Sequence, residues 1–462
     1  MQTTLSILTL PLMLAVLLWI GQSPDVPTPV GPTPARERNW EEILGGPRAQ
    51  WPSPRPSVHW FDNFDEAKVV AARERRPLFV VMRCLPCKQC ADFDADVLEG
   101  RPGLAEVLRQ FICVRLTSIA TVDLRQFPMA GFQDLDLSWW GWFIAPEGSI
   151  YGVFGGKDET GDRARISIEA LATAMNRVLD HHFDPRRGDW NVDIQPARGE
   201  KPVTPFDLPG FKSWALRHDE TQPIECLHCH QVAEILRQPA LDAKTFDKQR
   251  DLEIWPYPEN IGIVVERNDG LLVTTVAEGS PAAAAGIQPG DRIRAAGSKK
   301  LFSQADLRAA LQRVESEGGT LVLRWKRATV VMEGTLELKP GWKRVVLDWR
   351  QSIAGGNIGA PPGLTWPNAM PDGERKRLGI PPQTMAIKPF FAKQGSWAAR
   401  RAGVIESDVI IGVNGDTGNR SGREFLVWFR TRFEPGDEVT LKVRNARGLV
   451  RDVTYKLTAN GR

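Results

Sequence analysis

Six cysteines fall into two tight groups and one isolate. Cys84, Cys87 and Cys90 make overlapping C-x-x-C pairs in the run CLPCKQC, Cys226 and Cys229 join His230 in C-x-x-C-H, and Cys113 stands alone. The first group follows the apolar run 78–82 and precedes a stretch that places Phe93, Val97 and Leu98 on one helical face. A thiol at a helix start lies in the positive end of the helix dipole, which favours the thiolate, the form that attacks disulfides and binds metals. This placement favours Cys87 as an attacking thiol and Cys90 as its resolving partner over an inert staple. Cys84 reads as an auxiliary thiol or metal ligand, and Cys113, in an apolar stretch, as a packing residue.

Random placement of six cysteines and six histidines produces C-x-x-C-H roughly once in a thousand such chains. Three chemistries fit it. Cys226 and Cys229 suit thioether links to a c-type haem with His230 as proximal ligand, and Met129, His218 and Met385 are the candidates for a sixth ligand. A zinc or other transition-metal site would use Cys226, Cys229 and either His228 or His230. The third choice is a disulfide or reactive dithiol.

These residues need elements to hold them. At 462 residues, 42% hydrophobic and 25% charged, the chain is globular material for about three domains. Its 59 basic and 56 acidic residues are interspersed, leaving a net charge of +3, so nucleic acid and anionic lipid are not expected partners. Residues 5–20 are apolar and uncharged, and Gly21-Gln22-Ser23 suits a signal-peptidase site; a cleaved signal and a retained N-terminal anchor both fit 1–23. Export to the periplasm or cell envelope follows, where disulfides persist. Residues 24–57 are a proline-rich linker, with order expected from Val58. Beyond it the pattern predicts strands at 78–82 and 111–117, a hairpin of 140–145 and 150–154 around Pro146-Glu147-Gly148, and a helix carrying Ile168, Leu171, Met175, Val178, Leu179 and His182. His181 and His182 are placed to stabilise the last carbonyls of that helix, and Trp139, Trp140 and Trp142 to line the core and the cysteine pocket.

Strand, cysteine pair, helix, strand, then hairpin and helix resembles the thioredoxin fold over residues 58–190. The resemblance rests on Cys87-Lys88-Gln89-Cys90, the strand before it and the closing hairpin. It implies dithiol/disulfide exchange. One departure stands out: thioredoxin-like proteins usually carry a cis-proline just before the first hairpin strand, facing the cysteines, and here that stretch is Asp136-Leu137-Ser138-Trp139-Trp140.

The second half contains a repeat. In GSPAAAAGIQPGDRI (279–293) and GSWAARRAGVIESDVI (395–410), Ala285-Gly286, Asp291 and Ile293 recur 117 residues later at Ala402-Gly403, Asp408 and Ile410. Both copies resemble PDZ domains of the type found in bacterial periplasmic proteases, which implies units at 259–345 and 346–462. In the first, Ile261-Gly262-Ile263 is the expected peptide-carboxylate loop, its glycine freeing backbone N–H groups for a chain terminus and the strand after it offering an edge for β-addition. In the second, Leu378-Gly379-Ile380 is the corresponding expectation. No G-x-S-x-G or Gly-Asn-Ser-Gly-Gly segment precedes them, which argues against a serine protease.

The whole is a multidomain chain: an α/β thioredoxin-like domain, a short C-x-x-C-H segment at 191–258 and two mainly-β PDZ domains. It is similar to an exported bacterial family of thioredoxin-like/PDZ proteins typical of planctomycetes, some members of which carry selenocysteine; Cys90 is the position that resemblance matches to it. The resemblance and the residues together imply a thiol oxidoreductase or peroxidase-like activity, with PDZ domains holding protein C-termini and a membrane-derived donor supplying electrons. The alternative is a non-enzymatic PDZ scaffold with a degenerate thioredoxin-like domain and a haem c or metal site at Cys226-Cys229-His230.

Overall fold

The computed structural model describes residues 38–46, 49–83, 91–101, 103–157, 166–197, 199, 201–216, 227–392 and 396–462. The segment 1–23, Cys84, Cys87, Cys90, His218 and Cys226 lie outside these residues. Among the described residues no helix is long and apolar enough to cross a membrane.

The first element, α1 (Trp40–Gly45), falls inside the stretch expected to be an extended linker. Ile43 and Leu44 are buried against Trp190, Val192 and Ala295, so two apolar side chains tie this segment down despite the prolines around it. Then come β1 (Trp60–Phe61), α2 (Phe64–Glu74), β2 (Leu78–Met82), α3 (Ala91–Glu99), α4 (Ala105–Leu108), β3 (Ile112–Leu116), β4 (Ser138–Ile144), β5 (Ile150–Lys157) and α5 (Ile168–His182). The strands form one sheet in the order β1-β3-β2-β4-β5, with β2 parallel to β3 and antiparallel to β4. Strand β2 is apolar at every position because both its faces are covered: Leu78, Val80 and Met82 enter one core, Phe79 and Val81 the other. Asn63 and Ser167 cap the helices on either side, accepting N–H bonds from Glu66 and Ala170. The predicted strands and helices of this domain are all present.

Three helices, α6 (Arg187–Trp190), α7 (Phe211–Ala215) and α8 (Cys229–Asp242), lead out of it. Leu208, Trp214, Val232 and Ile235 share a core with β2 and β4, so the C-x-x-C-H segment folds onto the thioredoxin-like sheet.

The next unit comprises β6 (Ile263–Val265), β7 (Val273–Val276), α9 (Pro281–Ala284), β8 (Arg292–Ala296), β9 (Lys299–Lys300), α10 (Gln304–Gln312), β10 (Gly319–Arg327) and β11 (Val330–Leu338), paired as β6-β7 and β11-β10-β8-β9. The last contains α11 (Gln351–Ala354), β12 (Trp366–Ala369), α12 (Asp372–Arg377), β13 (Ile387–Phe390), α13 (Ala398–Arg401), β14 (Val409–Val413), α14 (Gly422–Arg432), β15 (Glu438–Arg444) and β16 (Val450–Lys456) in a single sheet, β12-β13-β14-β15-β16.

The repeated Gly and Asp have one physical job in both units. Asp291 accepts from the Gln288 N–H at 2.8 Å and pairs with Arg327, which also reaches Gly286 O at 2.8 Å. Asp408 accepts from the Ile405 N–H at 3.0 Å and pairs with Arg451, which reaches Gly403 O at 3.0 Å. Each aspartate closes a tight turn and anchors it to an arginine from the neighbouring hairpin. Apart from β9 in the first and α12 in the second, the units share the order strand, strand, short helix, strand, longer helix, hairpin.

Candidate functional site

The described residues on either side of 84–90 frame the cysteine segment. Strand β2 ends at Met82, the Arg83 N–H bonds Leu116 O at 3.0 Å, and α3 begins at Ala91, the residue after Cys90. One turn into α3, Asp94 is buried. Its Oδ2 accepts from Arg83 at 3.0 Å and Arg115 at 2.8 Å, and its Oδ1 from the Trp139 indole N–H at 3.2 Å. Two guanidinium groups face this one carboxylate and Asp92 stands in the same first turn, so the charges bordering the cysteines balance and the start of α3 is what remains to favour a thiolate.

Trp139 occupies the stretch where the fold's cis-proline was expected. Its backbone is left-handed (φ 59°), its ring meets Phe93 edge-on at 4.6 Å, and it is 1% exposed. A bulky residue with positive φ is uncommon and persists only where its surroundings hold it. The preceding turn supplies that hold. Asp134 accepts from Arg308 and Arg350, both at 2.8 Å; Asp136 accepts from Arg350 at 3.0 Å and from the Ser352 N–H and hydroxyl at 2.6 and 2.9 Å. Burial opposes the charge of Asp136, but Arg350, the Ser352 N–H and Arg237 outweigh it and hold the carboxyl below its ordinary range. Nothing in the local sequence marks this clamp: its partners lie about two hundred residues away.

Trp140 and Trp142 are core residues, as expected. Cys113 is fully buried in the other core, which pushes its thiol far up, as befits an inert packing residue. His181 and His182 depart from the expectation, because they reach away from their helix. His181 Nε2 meets Asp193 at 2.6 Å and His182 Nδ1 meets the Tyr151 hydroxyl at 2.7 Å. Burial lowers the pKa of both imidazoles.

In the second cysteine group, the Gln231 side chain accepts the His228 N–H at 2.8 Å and closes the start of α8. Cys229 packs against the thioredoxin-like core. His230 Nδ1 lies 3.4 Å from Glu234 Oε1, while Glu234 Oε2 accepts from the Trp214 indole N–H at 2.9 Å. The His228 and His230 rings stack at 5.5 Å, and burial, then the His230 charge, lowers the pKa of His228. A buried carboxylate behind a histidine fixes its tautomer and orientation, the usual support for a metal-binding imidazole. Among the described residues no group of three or more His, Cys, Asp or Glu could hold a metal ion. Met129 lies in the core that Cys229 packs against, and Met385 in the core of the last unit.

The stretch expected to be the peptide-carboxylate loop is the turn that leads into β6. Ile261 and Ile263 are 0% exposed in the core of their unit, and the Gly262 N–H is donated to Glu259 O at 3.0 Å. Gly262 is required for two other reasons: φ is 88°, and a Cβ would lie 2.1 Å from Ser280 Cβ. In the last unit, Leu378-Gly379-Ile380 follows α12, between β12 and β13, and is not the equivalent loop. Gly363 is. It precedes the unit's first strand, has φ 70°, and a Cβ there would lie 2.9 Å from the backbone of the short helix α13. The sequence signal for Gly363 was hidden because the insertion of α12 shifts the repeat.

Residues 59–130 match the thioredoxin-like family and residues 272–327 the PDZ domain family. A search of curated proteins finds no match. Among solved structures the chain is similar to a serine-to-alanine variant of the HtrA-type protease AlgW with a decapeptide (20% identity, 29% of this chain and 39% of that one, TM-score 0.19). It is similar, too, to the same variant with a tripeptide (19% identity, 29% and 42%, TM-score 0.19) and to AlgW with a decapeptide (19%, 29% and 39%, TM-score 0.19). The chain spans less than half the length of these proteins. It carries a thioredoxin-like domain and a PDZ domain.

Proposed function

We propose that this is an exported thiol-redox protein of the thioredoxin-like/PDZ kind, acting through Cys87 and Cys90, with its PDZ units recognising client or partner peptides. The observation that carries the reading is the place of the cysteine run, between the end of β2 at Met82 and the start of α3 at Ala91, where a helix N-terminus favours a thiolate. In the reaction, the Cys87 thiolate attacks one sulfur of a client disulfide and displaces the other as a thiolate that takes up a proton. The Cys90 thiolate then attacks Cys87, releases the second client thiol and leaves a Cys87–Cys90 disulfide. Two electrons pass from the protein to the client, and an external or membrane-derived dithiol returns them.

The test is reduction of insulin disulfides with dithiothreitol as donor. Cys87→Ser and Cys90→Ser are each expected to lower the rate above background at least about a hundredfold. Equal rates in all three proteins would leave the scaffold reading.

A second reading is favoured by the Glu234 carboxylate behind His230: Cys226, Cys229 and His230 would hold a c-type haem or copper, which would supply one-electron chemistry, or zinc, which would be structural. Glu234 would orient the His230 imidazole. A pyridine haemochrome spectrum of protein made with cytochrome c maturation is expected to show the haem bands. Their absence, with no zinc or copper by elemental analysis, removes this reading. The repeat chemistry supports the last unit as a second PDZ-like domain, and the apolar run 5–20 supports export.

A further inference from the structure

Helix α10 has no free face. Every residue from Gln304 to Leu311 is buried. Leu307, Ala310 and Leu311 turn into the core of the PDZ unit, whereas Ala305 belongs to the thioredoxin-like core and Phe302, just ahead of the helix, to the core on the other side of that sheet. Asp306 does more than fill space. Its Oδ2 accepts from the Phe302 and Ser303 N–H groups at 3.0 and 3.3 Å, closing the helix start. Its Oδ1 crosses to the other domain and accepts the Val153 N–H of β5 at 3.0 Å, with Lys299 Nζ 3.5 Å away. The Ser303 hydroxyl donates to Val153 O. Together they satisfy both main-chain groups of Val153 on an edge strand, which otherwise invites pairing with a foreign strand.

Glycine at 152 makes the approach possible, since a Cβ there would stand 2.5 Å from an Asp306 carboxylate oxygen. Two arginines seal the flanks. Arg177 of α5 donates to Asp269 O and Phe302 O at 2.9 and 3.0 Å. Arg308 binds Asp134 and the carbonyls of Trp255 and Pro256, with its guanidinium 4.2 Å above the Tyr257 ring. That last contact matters for peptide capture, because residues 255–257 lead directly into the Ile261-Gly262-Ile263 loop. A peptide added beside β6 needs an accessible strand edge and a wall for its side chains. The wall is already used, since α10 is buried from Gln304 to Leu311, whereas among the described residues β6 pairs on one side only, with β7.

We infer that the thioredoxin-like domain is the resident occupant of the first PDZ unit's helix face, so that Asp306 and Val153 form a latch and peptide capture by this unit requires the latch to open. This rests on the reading that the unit binds peptides at all. The device couples client binding to a rearrangement at β5, two strands from the one that leads into the cysteines.

The test uses the full chain, Asp306→Ala and Gly152→Val, the second variant entering the same contact from the opposite side. Hydrogen exchange over residues 150–157 reports the latch, and a labelled array of random decapeptides with free C-termini reports capture. The wild-type protein is expected to protect 150–157 and to retain little peptide; both variants are expected to exchange faster there and to retain at least about tenfold more. Equal capture by all three, with wild-type 150–157 still protected, overturns the latch and keeps the peptide-binding reading. No capture by any, with 150–157 exposed in the variants, overturns both. Continued protection in both variants overturns the assignment of Asp306.

Discussion

Arg350→Ala is expected to cost the fold about 3–5 kcal/mol, seen as a lower urea midpoint, because it strands charge where water cannot reach. Arg350 is 0% exposed and bridges Asp134 and Asp136, with a further bond to Ile254 O at 2.9 Å. Its flanking carboxylates hold its guanidinium charged despite burial. Removing it leaves Asp134 to Arg308 and Asp136 to the Ser352 groups and the nearby Arg237. Lysine should rescue little, since one ammonium cannot span two carboxylates and a carbonyl as the planar fork does. Arg350→Met combined with Asp136→Asn should recover part of the loss, because the amide oxygen can still accept from Ser352 and no unpaired charge remains at 136. A loss below about 1 kcal/mol for the alanine variant would mean that water reaches the clamp and that it does not fix Trp139 in place.

The second large effect is opposite in sign. Lys300→Met is expected to stabilise the protein at pH 7 and to do so less as the pH rises. Lys300 is buried, and that burial, reinforced by Arg294 and opposed by Asp193, Asp184 and Asp180, lowers its pKa to about 7. Among the described residues its Nζ has only long contacts, 3.5 Å to Ile43 O and 3.5 Å to His181 Nδ1, and faces the Trp190 ring at 5.0 Å. The sign follows from where the proton sits. Above the unfolded lysine value of 10.5 neither state is charged and burial costs nothing in charge. As the pH falls from there toward about 7, the unfolded chain takes up a proton the folded one refuses, and stability drops by about 1.4 kcal/mol per unit. Below that range both states are protonated and the penalty stays constant. Urea unfolding of the two proteins at pH 7 and pH 10 measures the gap, which should narrow steeply at the higher pH. A constant gap would show that Lys300 stays charged in the folded protein.

The same neighbourhood shows why parts of the molecule were legible in the sequence and others were not. The strand at 78–82 could be read directly, because a strand buried on both faces must be apolar throughout. The helix following Cys90 and the hairpin at Pro146-Glu147-Gly148 likewise carry their signals within a few residues. The absence of proline before β4 was visible too. What replaced it was not: Trp139 reads as one more aromatic core residue until Asp94 and the Arg350 clamp are seen around it. The histidines closing α5 misled for a related reason, since their partners, Asp193 and Tyr151, arrive from separate elements. The left-handed turn at Gly262 could be suspected from its glycine, whereas the contact of Arg308 with residues 255–257 ahead of it could not.

Taken alone, the amino-acid order determined the short-range features: the strands and helices of the first domain, the cysteine spacings and the turn chemistry that repeats at Asp291 and Asp408. Each depends on backbone geometry and on neighbours a few positions apart. The assembled chain decided the rest, namely that Asp134 and Asp136 face Arg350, that Asp306 reaches Val153, and that Gly363 rather than Gly379 is the second unit's counterpart of Gly262. Those pairings join residues up to about two hundred positions apart. Their worth comes from exclusion of water, and exclusion of water exists only once the domains have closed on one another.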